Sequence, residues 1–172
     1  MTVLEIRTYP DEVLAGKAAP IASIDADTLK LLDDMVETMY SHSGVGLAAP
    51  QVGRPVRIIV VDCTRAEEKP GFGLLEMINP EITASSGEIS FVEGCLSLPG
   101  VETEIKRKGA VDVSFSDRAG NRRSLRAEGI LSICVQHEID HLDGLLFVDR
   151  ANRFRKKLIL REYLKKKRGE TA

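Results

Sequence analysis

Residues 129–143 read GILSICVQHEIDHLD, and this stretch predicts the central helix around which we expect the rest of the chain to fold. Its apolar residues recur at three- and four-residue intervals, which is the spacing of a helix. One stripe of that helix carries Ile130, Cys134, His137 and His141, with Ile133 beside it. Gly144 directly follows the stretch and is a residue type that commonly ends helices. Because histidines four residues apart point the same way, we expect this helix to bind a metal ion.

The flanking sequence predicts short strands, with helices near both ends of the chain. Residues 25–41 have the apolar spacing of an amphipathic helix with Asp27 as its cap, and residues 44–53 read as a glycine-rich loop. Strands are predicted at 57–63, 76–79, 81–84 and 88–92, a hairpin at 108–115 and 122–127, and a helix at 151–167. Because strands and helices do not alternate regularly, we expect an α+β fold: antiparallel β-sheets packed around a central metal-binding helix, with an N-terminal and a C-terminal helix.

The bulk composition is that of an ordinary globular protein. The chain has 172 residues, 43% of them hydrophobic and 29% charged, which suits one domain over residues 1–172. The three cysteines, Cys63, Cys95 and Cys134, are odd in number and far apart, so they predict a reducing compartment rather than a disulfide framework. The sequence has no signal peptide pattern and no apolar segment of membrane-spanning length, so we expect a cytoplasmic protein.

The His-Glu-x-x-His pattern supplies two ligands, whereas a catalytic metal site needs a third. Glu138 follows the first histidine and can act as a general base toward a metal-bound water. Three positions are poor candidates for this third ligand. Phe147 stands where one extended protease motif has a third histidine, but phenylalanine cannot bind a metal. Glu162 lies in a basic segment, and His42 reads as a surface residue. Upstream, Cys95 in the segment EGCLS can supply a thiolate, although a lone cysteine is more typical of a core thiol.

Residues 44–51, GVGLAAPQ, form a further notable segment. Its two glycines allow a ligand or another strand to approach the backbone closely. The amide of Gln51 can donate to an oxygen that becomes negative during a reaction. Taken alone, the segment also fits an ordinary turn after a helix, and no G-K-[ST] follows that would make it a phosphate-binding loop.

Together, GVGLAAPQ, EGCLS and QHEIDHL resemble, in this order and spacing, the three signature segments of the peptide deformylases. The resemblance extends over essentially the whole chain and is to the compact bacterial form with a basic C-terminal helix. It implies a metal-dependent hydrolase that removes the formyl group from the N-terminal formylmethionine of nascent proteins and releases formate. Hydroxide would attack the formyl carbon, with Glu138 as general base and then acid. The amide of Gln51 and the backbone N–H of Leu96 would stabilise the oxyanion.

The resemblance also implies the binding residues and the metal. The metal ligands it implies are Cys95, His137 and His141, with water in the fourth position. The methionine pocket it implies is lined by Val45, Phe91, Ile130, Ile133, Cys134 and His137, although the helical residues among these also fit a plain core. The peptide backbone would lie along Gly46 and Gly94. One divalent ion is expected per chain: Fe(II) in the cell, with zinc, nickel or cobalt able to replace it in a purified sample.

The C-terminal segment gives a further clue about partners. Ten of the 24 lysines and arginines fall between Arg150 and Arg168 and surround an apolar stripe that includes Leu158. This pattern predicts a docked helix with a cationic outer face. In the resembled family such a helix is linked to contact with the ribosome near the exit tunnel, and a solvated basic terminus is the alternative. The expected partners are thus N-formylmethionyl nascent peptides and the ribosome, without a membrane and without DNA.

Two further positions have more than one interpretation. Some relatives carry an arginine where this chain has Glu102, near the path of substrate residues beyond methionine, which leaves the charge preference there open. Glu93 either pairs with Arg107 and holds the Cys95 loop in place, or both are ordinary solvated charges.

Two other functions compete with this interpretation. A zinc endopeptidase also carries His-Glu-x-x-His, but it needs a downstream third ligand and the sequence offers none that is convincing. A ribosome- or RNA-binding module with a structural metal would need four protein ligands, whereas only three are found.

Overall fold

The computed structural model describes residues 2–64 and 72–169. In these residues the α-helices and β-strands follow the order α1 (Ala26–Ser41), β1 (Gly46–Ala48), β2 (Ile58–Val61), β3 (Leu75–Ser86), β4 (Ile89–Cys95), β5 (Leu98–Arg107), β6 (Ala110–Ser116), β7 (Arg122–Glu128), α2 (Gly129–Leu142) and α3 (Arg153–Lys167). Short 3-10 turns lie at Glu12–Ala15, Ala49–Val52 and Phe147–Arg150.

The strands form two antiparallel sheets. One sheet has five strands in the order β1-β2-β3-β6-β7, and the other is the β4-β5 pair. Every strand pair is antiparallel. The predicted α+β class with antiparallel sheets is therefore confirmed.

Helix α2 is the centre of the molecule. Every residue from 131 to 142 is buried, and the helix contacts β1, β2, β6 and β7. The chain turns sharply where this buried helix ends, and Gly144 allows the turn with a φ of 75°. A Cβ at this glycine would lie 2.6 Å from the carbonyl oxygen of Ala15, so the N-terminal segment packs directly against the end of α2.

Strand β2 is buried on both faces because a helix covers each of them. Ile59 and Val61 belong to the apolar cluster between the five-stranded sheet and α2. Ile58 and Val60 point the other way, into the cluster beneath α1. A third cluster joins β5, the 3-10 turn before α3, and α3 itself: Leu98, Ile105, Phe147, Ile159 and Tyr163.

Some predicted boundaries were wrong for local reasons. The cap of α1 is Asp25 rather than Asp27, since the carboxylate of Asp25 accepts the backbone N–H of Thr28 over 2.8 Å. The predicted loop at 44–53 contains strand β1 and a 3-10 turn. The separate strands predicted at 76–79 and 81–84 are one strand, β3, with a register shift around Asn79, whose φ is 51°. Strand β5 was not predicted.

The C-terminal helix agrees with the prediction in outline. Helix α3 begins at Arg153, and the side chain of Asn152 caps it by accepting the N–H of Arg155 over 2.9 Å. Its buried residues are Ile159 and Tyr163, whereas Leu158, assigned to the docked stripe, is 55% exposed. In the described ranges, each helix falls short of the length and apolar content needed to cross a membrane.

Candidate metal centre

Three donor atoms from two elements converge beside α2. Cys95 is the last residue of β4, and His137 and His141 lie one turn apart on α2. Their ligand atoms all lie within 4.8 Å of one another, and Cys95 Sγ is 3.3 Å from His141 Nε2. The predicted Cys-His-His group is therefore brought together by the fold.

The group fits a metal ion in chemistry and spacing. A tetrahedral ion with thiolate and imidazole ligands holds neighbouring donors about 3.5 Å apart. Burial lowers the pKa of His141 well below its ordinary value and so favours the neutral ring that metal binding requires. In the described part of the chain, the Nδ1 atom of His141 and the Oε2 atom of Glu138 are buried without a hydrogen-bond partner.

The carboxylate of Glu138 lies between α2 and β1. It is only 5% exposed, and a Cβ at Gly46 would come within 2.4 Å of its Oε1 atom. Burial raises the pKa of Glu138 to about 7, a range in which a carboxyl group can both accept and return a proton. A cation beside it favours the charged form and acts against this shift.

The amide of Gln51 is held in one orientation. Its Oε1 accepts the backbone N–H of Ala48 over 2.8 Å, so its Nε2 must point the other way. That Nε2 donates to Cys95 Sγ over 3.5 Å and to Ser97 Oγ over 3.3 Å. Gln51 thus presents a donor to the site, and the turn that carries Leu96 lies beside it in the cavity wall.

A buried charge network fixes the ring of His137. Nδ1 of His137 donates to Glu93 Oε2 over 2.8 Å, and Arg107 donates to both oxygens of Glu93 over 2.5 and 2.9 Å. Arg107 also donates to Asp140 over 2.8 Å, and Arg150 donates to the same carboxylate over 2.5 and 3.1 Å. The alternative of two solvated charges at Glu93 and Arg107 is wrong, because both side chains are at most 4% exposed.

The charge state of Glu93 follows from this network. Burial alone would raise the pKa of Glu93, but the hydrogen bonds from His137 and Arg107 outweigh burial and lower it. A carboxylate held in its charged form can orient the histidine ring and direct the other nitrogen, Nε2, toward the metal position.

A cavity of about 430 Å³ opens beside these groups. It contains most of the predicted methionine-pocket residues: Val45, Phe91, Ile133, Cys134 and His137. Gly46 and Gly94 also line it. Ile130 does not; it packs, half-buried, against the core cluster beneath α2. The walls are mostly apolar, with polar groups concentrated at the metal position, as in a small-molecule site.

Several functional contacts escaped the sequence analysis. Asp140 and Arg150 complete the charge network, and Phe147 stacks on the ring of His137 with centroids 6.0 Å apart. The only sequence signal for Asp140 was its place between the two histidines. The rejected candidates behave as expected: His42 is exposed, and Glu162 pairs with Lys166 over 3.0 Å.

Comparisons with known proteins agree with the geometry. The profile of the family described as Polypeptide deformylase matches residues 3–157. A peptide deformylase of Thermodesulfovibrio yellowstonii is 50% identical over 167 residues, covering 97% of this chain and 100% of that protein. The crystal structure of the Ehrlichia chaffeensis peptide deformylase gives a TM-score of 0.91 at 36% identity, covering 98% of this chain and 99% of the other. The structure of that protein in complex with actinonin gives a TM-score of 0.89 at 38% identity, covering 97% of this chain and 98% of the other.

Proposed function

Since this chain belongs to the polypeptide deformylase family, we propose that Cys95, His137 and His141 hold the metal with which it hydrolyses N-formylmethionyl peptides. The enzyme is a metal-dependent hydrolase: it converts a formyl-Met-peptide and water into formate and a peptide with a free N-terminal methionine. The observation that carries the residue assignment is the convergence of the three ligand atoms within 4.8 Å of one another, next to a buried carboxylate.

The metal and Glu138 have separate tasks in this proposal. When bound, the divalent ion lowers the pKa of a water molecule and polarises the formyl oxygen. Glu138 takes a proton from the attacking water at Oε2, the oxygen that has no partner in the described residues. It then delivers this proton to the nitrogen of methionine as the bond to the formyl carbon breaks.

Two donors are assigned to the formyl oxygen as it gains negative charge. Gln51 offers its Nε2, which the Ala48 N–H orients through the other end of the amide. The second donor is the backbone N–H of Leu96, in the turn that follows Cys95. Donors that are fixed before the reaction need no reorganisation during it, and that is the source of their effect on rate.

The cavity beside the metal position takes the methionine side chain. Ile133 and Cys134 lie one turn before His137 on α2, so an apolar side chain bound there places its own backbone near the metal ligands. An unbranched thioether fills an apolar pocket of irregular shape well. The peptide backbone lies along Gly46 and Gly94, whose backbones both line the cavity.

Replacement of Glu138 separates this enzyme from a binding module. Glu138→Gln should reduce kcat on formyl-Met-Ala by about 10²- to 10⁴-fold, because the proton carrier is lost, while the metal content stays at one ion per chain. Glu162→Gln, on the exposed face of α3, is the matched control and should behave as the wild type. Turnover of formyl-Met-Ala by Glu138→Gln at the wild-type rate would contradict the assignment, and so would a rate loss explained by loss of metal.

We further propose that the native metal is Fe(II). A thiolate with two imidazoles binds several divalent ions, and the resemblance to the family indicates iron. Prepared without oxygen, the iron-loaded enzyme should lose activity on exposure to air, as ferrous iron and the Cys95 thiolate oxidise, whereas the nickel-loaded enzyme should keep it. Undiminished activity in air, in a sample that metal analysis shows to contain iron, would contradict this proposal.

The C-terminal helix is proposed to bind ribosomal RNA near the exit tunnel. Lys157, Arg161 and Lys165 repeat every four residues on one exposed face of α3, and none has an ion-pair partner in the residues described. Three phosphate contacts would give binding that weakens steeply with salt. Reversing all three charges to Glu should lower ribosome affinity and flatten its salt dependence in co-sedimentation, whereas Arg122→Glu, at an exposed position on the edge strand β7, should not. Equal binding by the two variants would refute the proposal.

Two further proposals concern the cellular location of the enzyme and its domain organisation. N-formylmethionyl chains are made in the cytoplasm of bacteria, so we propose that the enzyme acts there as one catalytic domain over residues 1–172. Fractionation of cells that produce the enzyme tests the location, and limited proteolysis tests the domain, which should resist cleavage as one unit.

A further inference from the structure

The cavity has one charged side chain at its open side. Three carboxylates line it: Glu93, Glu138 and Glu102. Glu93 is buried in the network with Arg107, and Glu138 is buried beside the metal position. Glu102 is exposed. Neither lysine nor arginine contributes to the lining, so the charge that an entering ligand meets at the rim is negative.

This carboxylate is not neutralised by the protein. Among the ion pairs formed within residues 2–64 and 72–169, none includes Glu102. A lysine does approach the same strand: Lys166 donates to the carbonyl of Gly100 over 3.5 Å. Its charge is already matched by Glu162 at 3.0 Å. Glu102 is thus available for a cation that comes with the ligand.

Glu102 also lies at a defined place along the substrate path. A Cβ added to Gly94 would sit 3.4 Å from Glu102 Cγ and 3.7 Å from its Oε1. Gly94 directly precedes Cys95 in β4, so the Glu102 carboxylate is next to the backbone that leads into the metal ligand. The methionine pocket at Ile133 and Cys134 belongs to α2, on a different element of the cavity wall. A peptide that leaves the methionine pocket along Gly94 therefore passes Glu102 with the residues after methionine.

We propose that Glu102 is a specificity-determining residue that favours formyl-Met-peptides with lysine or arginine at the second or third position. The inference rests on the proposed function of the cavity, and it names the substrate class within it. An exposed ion pair of this kind contributes modestly, so the expected preference for a cationic over an anionic residue is about two- to fivefold in kcat/KM. Because the pair is solvated, the preference should shrink as salt is added.

Competition assays on four formylated peptides test the proposal. The peptides carry Lys or Glu at the second position of formyl-Met-X-Ala-Ser, or at the third position of formyl-Met-Ala-X-Ser, and the readout is the ratio of kcat/KM for the Lys and Glu peptides at low salt. The wild type should favour lysine at one position or both. Glu102→Gln should bring that ratio close to one, and Glu102→Arg should invert it.

Glu104→Gln is the matched control, because it removes the same charge two residues along β5 at an exposed position outside the cavity lining. The control should keep the wild-type ratio. A ratio that stays unchanged in Glu102→Gln, or that changes equally in Glu104→Gln, would overturn the proposal. Failure of the proposed function is distinguishable, because the wild type would then not deformylate any of the four peptides.

Discussion

Replacing Gly46 by alanine tests the place assigned to Glu138, because only the missing side chain of Gly46 leaves room for that carboxylate. A Cβ on Gly46 would lie 2.4 Å from Glu138 Oε1 and 2.9 Å from both Cδ and Cγ. Ordinary contacts of a Cβ begin at 3.4 Å, so the two groups must separate by about 1 Å. A displacement of that size at a catalytic group can reduce the rate about 100-fold, which corresponds to about 2.7 kcal/mol of transition-state stabilisation.

The carboxylate should move rather than the strand. Gly46 pairs with Val61 across β1 and β2, and the two residues that follow it in β1 are completely buried, so the backbone is held on both sides. The Glu138 carboxylate is easier to move, because its Oε2 has no hydrogen-bond partner in the described residues and the cavity lies next to it. The substitution should therefore shift Glu138 into the cavity while the metal ligands stay in place.

Steady-state kinetics with metal analysis and thermal unfolding separate these effects. Gly46→Ala should lower kcat on formyl-Met-Ala about 100-fold and keep one metal ion per chain. Gly16→Ala is the control, since its Cβ would meet its nearest neighbour at an ordinary 3.7 Å and it lies far along the chain from the site. A Gly46→Ala enzyme within threefold of wild type, or one that is inactive because it lost its metal, would refute the reasoning.

Three other predictions concern stability. Arg107→Met should lower the free energy of unfolding by about 3–5 kcal/mol in urea titrations, because the buried carboxylates of Glu93 and Asp140 each lose a charged donor, whereas the surface variant Lys106→Met should cost at most about 1 kcal/mol. Hydrogen bonds, chiefly from Arg123, lower the pKa of Asp117 from 3.8 to about 2. Its charged form therefore stabilises the fold above pH 3.8. The difference in melting temperature between the wild type and Asp117→Asn should vanish as the pH falls toward 2. Free metal at about 100 times its Kd should raise the free energy of unfolding by about 2.7 kcal/mol over the chelated protein, and an unchanged melting curve would contradict the metal site.

The parts of the fold that the sequence predicted are those defined by local spacing. Helix α2 and the β6-β7 hairpin appear within one or two residues of their predicted bounds, because each is specified by periodicity and by the residues at its ends. The same local rule predicts that His137 and His141 bind one metal ion together. It could not decide the role of Cys95, which is 46 positions from His141 and reaches it only through the packing of the β4-β5 pair against α2.

Strand β5 was missed because its inward positions are not all apolar. Its burial alternates, and Val101, Thr103, Ile105 and Arg107 point inward. Thr103 and Arg107 hide the alternation of apolar and polar residues that identifies a half-buried strand. Arg107 is polar because it holds Glu93 and Asp140 beside the metal ligands, so the residue that obscures the strand is one that the site requires.

The pentapeptide His-Glu-Ile-Asp-His shows why α2 is buried on every side. Successive residues on a helix turn by about 100°, so neighbours in this stretch face different elements. His137 and His141 face Cys95, while Glu138 faces Gly46 on β1. Ile139 lies in the core cluster beneath the five-stranded sheet, and Asp140 faces Arg107 on β5. A helix with one apolar stripe packs against a single neighbouring element. Helix α2 packs against both sheets, because residues on each of its sides contact a different element. The packing of two sheets around α2 therefore serves the site as well as the apolar core.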